Sequence, residues 1–191
     1  MALKGRKIVV AVAGASGAVY AEKLLEKLMR ADDAPSEIAV IFSDKAVEIW
    51  EYETGKPYSP APGTKVFRNS DFFAPFASGS SSYDTMIICP ASVGIMGRIA
   101  NGVSDDLITR AADVMLKERR RLIVVPRETP YNLIHIRNME TLTLAGAIIC
   151  PATPSFYSKP ATIDDLVMTV VDRIISLAGF DAGAYRWMEN D

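Results

Sequence analysis

Two short stretches combine small residues with backbone donors. Gly14-Ala15-Ser16-Gly17-Ala18 ends an apolar run and opens a helical period. A glycine turn there brings N–H groups and the Ser16 hydroxyl close to an anion. Ser92-Val93-Gly94-Ile95 repeats the plan after Pro90, with Ser92 suited to cap the following helix. The first stretch is not G-x-G-x-x-G, because Ala18 and Val19 follow Gly17, and no acid ends the second apolar run, where Phe42-Ser43-Asp44 stands. These features fit a phosphorylated mononucleotide better than a dinucleotide. At the exit of a further run, Arg127-Glu128 sets a cation beside a carboxylate. Tyr157, Lys159 and Arg173 lie in and after the exit of the last run. Each of these also has a plain structural reading: a tight turn, a helix cap, a surface turn, a core aromatic or an exposed helix charge. His135 is the only histidine, so no metal cluster and no Ser-His-Asp grouping can be built; in an amphipathic helix it reads as structural.

The elements that must position these residues alternate. Strands are expected over 7–13, 37–42, 85–89, 122–125 and 147–150, and helices over 16–30, 44–54, 92–116 (broken near Asn101-Gly102), 132–145 and 163–177. Runs such as IVVAV, MIIC and LIVV are apolar without alternation, as strands covered on both faces are. The pattern predicts a single α/β domain over 1–191, three-layered and doubly wound around a parallel, Rossmann-like sheet. IICPAS (87–92), VVPRET (124–129) and IICPAT (148–153) share one design, with a buried run ending at a proline that lacks the N–H a ladder needs. Three matching loops therefore stand at the carboxyl edge, where open α/β sheets bind ligands. The segment 55–84 holds four prolines and the serine-rich ASGSSS, yet also four phenylalanines, and reads as an ordered excursion over the site or onto a neighbouring subunit.

Composition narrows the class. With 21 Lys plus Arg against 23 Asp plus Glu, the net charge is −2, which disfavours a nucleic-acid binder. The basic run at Lys117, Arg119, Arg120 and Arg121 fits the solvated C-terminus of a helix. Two cysteines, Cys89 and Cys150, make no disulfide framework and fit a reducing cytoplasm. The apolar run at 8–13 is too short for a membrane span and flows into a glycine turn, so a cytoplasmic protein without membrane attachment is expected.

Together the stretches GASGA (14–18), FSDKA (42–46), ASGSSS (77–82), CPAS (89–92), RAADVMLKERRRLIVVPRETP (110–130), NLIHIRNM (132–139) and PSFYSKP (154–160) resemble the UbiX-type flavin prenyltransferases over nearly the whole chain. The resemblance implies metal-independent joining of a dimethylallyl group from dimethylallyl phosphate to N5 and C6 of reduced FMN. The prenylated FMN would serve a separate UbiD-type decarboxylase. FMN would meet Gly14, Ala15, Ser16, Ser43, Ser92, Val93, Gly94, Ile95 and Arg127. The prenyl phosphate would meet Arg110, Lys117, Tyr157 and Arg173, with Glu53 nearby; Glu128 would be the acid and base, and Trp187, in a C-terminal tail spanning 179–191, would cover the site. A homododecamer is implied as well. Ser158 stands where other members carry histidine, which bears on donor preference. Two other readings are an FMN-dependent cysteine decarboxylase and a non-catalytic flavin-binding subunit. The first uses a histidine upstream of a PASANT loop, whereas this chain has PASVGI (90–95) and no histidine before His135.

Overall fold

A computed structural model describes residues 5–60 and 62–183. In chain order the elements are β1 (Lys7–Val12), α1 (Ala18–Arg30), β2 (Glu37–Phe42), α2 (Asp44–Thr54), β3 (Thr64–Arg68), a 3₁₀ turn (Pro75–Ala77), β4 (Tyr83–Ala91), α3 (Val93–Ala100), α4 (Leu107–Lys117), β5 (Arg121–Pro126), α5 (Leu133–Leu144), β6 (Ile148–Ile149) and α6 (Ile163–Ala178). The strands form one six-stranded sheet in the order β3-β2-β1-β4-β5-β6, every pair parallel. This is the doubly wound Rossmann order, with its crevice at the switch between β1 and β4. Ile8 through Ala11 and Leu122 through Val125 are fully buried because each strand has a helical layer on both faces. One core packs Val10, Ile87 and Ile123 against α1 and α6; the other packs Val9, Met86 and Val124 against α3 and α4.

Three differences from the sequence expectation have physical reasons. Inside the excursion, β3 adds an edge strand that pairs with β2. Its TKVFR text has no buried alternation, since only an edge with one partner has to be made. The CPAS run does not stop at its proline either: β4 continues through Pro90 to Ala91. The ladder shifts register between Ile88 and Ala91, so the missing N–H of Pro90 falls at an irregularity. Its carbonyl still accepts the Ala13 N–H at 3.1 Å. Finally, α5 is hardly amphipathic. Leu142 is its one buried residue, while Leu133, Ile134, Ile136 and Leu144 are exposed.

The break expected near Asn101-Gly102 separates α3 from α4, with Gly102 at φ 70°. Asn69, just past β3, holds the start of α4 by accepting the Leu107 N–H at 2.8 Å and, through its side chain, the Ile108 N–H at 3.1 Å. Phe67, Phe76 and Tyr83 stack edge to face beneath it. No helix among the described residues is long and apolar enough to cross a membrane.

Candidate functional site at the carboxyl edge

Four backbone hydrogen bonds lace the strand exits into one rim. The Ser43 N–H donates to the Val12 carbonyl at 3.0 Å, Ala13 to Pro90 at 3.1 Å, Arg127 to Ala91 at 3.3 Å, and Ala152 to Pro126 at 3.0 Å. The exits of β2, β1, β4, β5 and β6 are therefore fixed to one another, and the loops they carry share one site. Gly14 permits part of this closeness, since a Cβ there would stand 2.8 Å from the Lys45 Cβ in the first turn of α2.

The 14–18 turn is built differently from the expected open cradle. Helix α1 begins at Ala18, and its N-cap is Gly17 in the left-handed region at φ 116°, with no side chain to cap the helix. The cap comes instead from α2. The Glu53 carboxylate accepts the Gly17 N–H at 2.9 Å and the Ala18 N–H at 2.8 Å, and the Ser16 hydroxyl donates to it as well. Burial pushes the Glu53 carboxyl up, but the Ser16, Gly17 and Ala18 hydrogen bonds and the Arg127 charge outweigh it and hold the pKa below the ordinary glutamate value. Two amides offered to an anion by the sequence are thus already filled by a carboxylate.

At the start of α3 the amides are available. Ser92 caps the helix by accepting the Ile95 N–H at 3.3 Å. The Val93 and Gly94 N–H groups precede any intrahelical acceptor, and open space lies where a Gly94 Cβ would point. Ser43 caps α2 in the same manner, accepting the Ala46 N–H at 3.2 Å. Ala13 through Ser16, Ser43 and Ser92 through Ile95 thus ring one crevice between β1, β2 and β4. Its small residues, uncovered amides and hydroxyls suit a flavin mononucleotide, whose phosphate needs donors and whose ring needs flat room.

Arg127 and Glu128 leave β5 between this crevice and a large cleft. The Arg127 Nε–H donates to the Ser16 carbonyl at 3.0 Å, which ties it to the glycine turn. Glu128 is half-buried and accepts the N–H of its neighbour Thr129 at 3.0 Å. The cleft, about 1210 Å³, is lined by Cys150 and Pro151 at the β6 exit, by Tyr157 and Lys159, and by Arg173 on α6. Burial raises the Cys150 thiol pKa, and the charge of Arg173, which lines the same cleft, acts in the opposite direction.

The remaining expected site residues lie apart. Lys117 ends α4, shortly before β5 begins, and its ammonium pairs with Glu118 beside Gly79. β5 has six residues, so its ends stand about 17 Å apart at about 3.3 Å per residue. Lys117 therefore sits at the amino edge, beyond lysine reach of Glu128 in the same chain. Arg110, two turns earlier on α4, donates to the Ala77 carbonyl at 3.0 Å and pairs with Asp113 at 3.1 Å. Trp187 lies outside the described residues. The sequence reading missed two aromatics at the rim. Tyr20 would meet a Gly17 Cβ at 2.9 Å, and the Arg127 charge reaches its hydroxyl; Tyr131 feels the charge of Glu128. The i,i+3 spacing of Gly17 and Tyr20 on a helix start was the available signal for the first.

Comparison with known proteins agrees with this geometry. The family model described as Flavoprotein matches residues 1–175. The flavin prenyltransferase UbiX of Methanocaldococcus jannaschii is 42% identical over 184 residues, covering 95% of this chain and 98% of that protein. Among solved structures, AnUbiX (PadA1) in complex with FMN and dimethylallyl pyrophosphate superposes with a TM-score of 0.89 at 42% identity, covering 98% of this chain and 100% of that one. A dodecameric FMN-dependent UbiX-like decarboxylase from Escherichia coli O157:H7 gives 0.86 at 36% identity, covering 95% and 99%. The laced rim, the family model and the near-full-length identity lead to one conclusion: this chain belongs to the Flavoprotein family, in its UbiX-type flavin prenyltransferase branch.

Proposed function

We propose that the protein joins a dimethylallyl group from dimethylallyl phosphate to N5 and C6 of reduced FMN, without a metal, and releases prenylated FMN to a UbiD-type decarboxylase. The observation that carries this reading is the placement of Arg127-Glu128 between the α3 amides and the cleft that holds Tyr157 and Arg173. The likeness to a structure bearing FMN and a prenyl diphosphate supports it. Gly14, Ala15, Ser16, Ser43, Ser92 through Ile95 and Arg127 would hold FMN, which supplies the two nucleophilic ring atoms. Tyr157 and Arg173 would receive the donor phosphate.

The donor's carbon–oxygen bond must break as its carbon reaches N5, and phosphate must leave. Cations aimed at that phosphate stabilise the departing charge, each charge-assisted hydrogen bond contributing roughly 1.5–3 kcal/mol. Three such contacts, from Arg110, Lys117 and Arg173, can take the place of a metal clamp. Ring closure then needs the C=C bond of the N5-bound prenyl unit to take up a proton, returned from the released phosphate. Its tertiary carbon thereby bonds C6, and C6 loses its ring proton. Glu128 would give a proton to the leaving phosphate and accept the one from C6. Apolar walls favour capture of an allylic cation by the flavin before water.

Lys117 belongs to this scheme only if a second copy supplies it, because its own chain holds it at the amino edge, and Arg110 is engaged by the Ala77 carbonyl and Asp113. The dodecameric relative and the exposed apolar residues of α5 support an assembly of several copies. A reducing cytoplasm suits the two free cysteines. Ser16→Asp, which adds a charge beside Glu53, should abolish FMN retention on the purified protein. Light scattering should report a mass many times the 20.8 kDa chain. Tighter binding of NAD than of FMN, or a fully active monomer, would contradict the scheme.

A further inference from the structure

The cap on α1 arrives from far away in the sequence, and the geometry explains why. Position 17 needs a glycine twice over: its φ is 116°, and a Cβ there would stand 2.9 Å from the Tyr20 ring and 3.8 Å from the Arg127 Cγ. A serine or aspartate N-cap is therefore barred. Glu53, in the last turn of α2, fills that role with a full charge at the positive end of the helix. The other groups facing it are the Ser16 hydroxyl and the Arg127 guanidinium. Lys45 and Lys56, on its own side, are paired with Glu48 and Glu22.

We propose that Glu53 is a positioning residue: by closing the amino end of α1 it fixes Ser16, and through the Ser16 carbonyl it sets the Arg127 guanidinium in the flavin site. The chain of contacts is continuous, from the Glu53 carboxylate to the Gly17 and Ala18 amides and the Ser16 hydroxyl, then from the Ser16 carbonyl to Arg127 Nε. A second consequence is that the dipole end of α1 is neutralised within the fold. Phosphate then falls to the α3 amides and to side-chain cations. The proposal rests on the reading that Arg127 holds FMN, and its test separates the two.

The test compares wild type, Glu53→Ala and Glu53→Gln by FMN fluorescence titration and by amide hydrogen exchange at Gly17 and Ala18. Glu53→Ala should weaken FMN binding about tenfold, the scale of one lost charge-assisted contact, and should speed exchange at both amides. Formate is small enough to occupy the vacated carboxylate position. It should restore FMN binding to Glu53→Ala in a saturable way and leave wild type unchanged, whereas neutral formamide should do nothing. Unchanged FMN affinity in folded Glu53→Ala, or a loss that formate does not reverse, overturns the proposal. If Glu53→Ala does not fold, Glu53→Gln decides, with an expected loss of about threefold and faster exchange at Ala18; wild-type values in both measurements overturn it. Should wild type bind no FMN at all, the flavin reading fails. The exchange measurement then still decides the positioning role, since wild-type protection in Glu53→Ala overturns it.

Discussion

The two edges of the sheet use the same residue types to opposite ends. At the amino edge a set of charges is answered from within the fold. Arg6, with a side chain only 9% exposed, pairs with Asp84 at 2.8 Å, donates to the Ala178 carbonyl at 2.8 Å, and stacks over Phe180. Arg121 donates to the same carbonyl at 2.7 Å. Glu37 accepts from Tyr83 and pairs with Lys65 at 3.0 Å and Lys7 at 3.4 Å, tying β1, β2, β3 and β4 together. At the carboxyl edge, Glu128 has only the adjacent Thr129 amide among its described hydrogen bonds, and open space lies where a Gly94 Cβ would point at the start of α3. Charge satisfied by the fold holds the sheet together, and polar groups left for a visitor mark the site.

If that contrast holds, substitutions at the two edges should separate rate from stability. The largest effect is expected at Glu128. Glu128→Gln should slow single-turnover prenyl transfer about 10²–10⁴-fold, the usual contribution of a general acid–base group. FMN affinity and melting temperature should stay at wild-type values, and an unchanged rate would remove the carboxyl group from the chemistry. Arg6→Ala should do the reverse. Breaking a buried pair costs about 3–5 kcal/mol, and the partial exposure of Asp84, at 42%, reduces the expectation to about 2–3 kcal/mol in urea unfolding. Activity per folded molecule should be unchanged. Lys117→Ala should raise the KM for dimethylallyl phosphate about tenfold or more, with FMN affinity intact. Equal losses for donor and flavin would place Lys117 elsewhere in the scheme.

The smallest effect is in the acid limb. Hydrogen bonding from Tyr83 is the main cause holding Glu37 below its ordinary value, with the two lysines adding to it; for Asp84 burial acts upward, but the hydrogen bonds and charge of Arg6, with Thr85, outweigh it. Both folded-state pKa values are depressed, so the unfolded chain binds more protons as pH falls. Their contribution is complete above the ordinary carboxylate range and is lost as pH falls through it and below. Glu37→Gln should therefore flatten the loss of stability on acidification while leaving neutral-pH flavin binding unaltered. A steeper acid limb would contradict the assignment.

Much of the carboxyl edge was legible because its signals are local. The apolar runs that became β1, β2, β4 and β5 needed no partner to be read, and Ser92 announced its own cap. The edge strand β3 was hidden because a strand with one neighbour and mostly exposed residues carries no core pattern. The extension of β4 through Pro90 depended on a register shift against β5 that no single segment encodes. Glu53 could be named from family resemblance, but its capping of a turn 35 residues away comes from the packing of α2 beside α1. Lys117 was grouped with Glu128 by resemblance, and the parallel topology then separated the two across the length of β5.

The most direct test of the central claim is the fate of the flavin itself. Wild-type protein should be incubated without oxygen with reduced FMN and dimethylallyl phosphate, and the released flavin examined by mass and absorbance. The account predicts a flavin heavier by one five-carbon unit, formed with stoichiometric release of phosphate and without added metal. Recovery of unmodified FMN with intact donor, from protein that binds both, would contradict it.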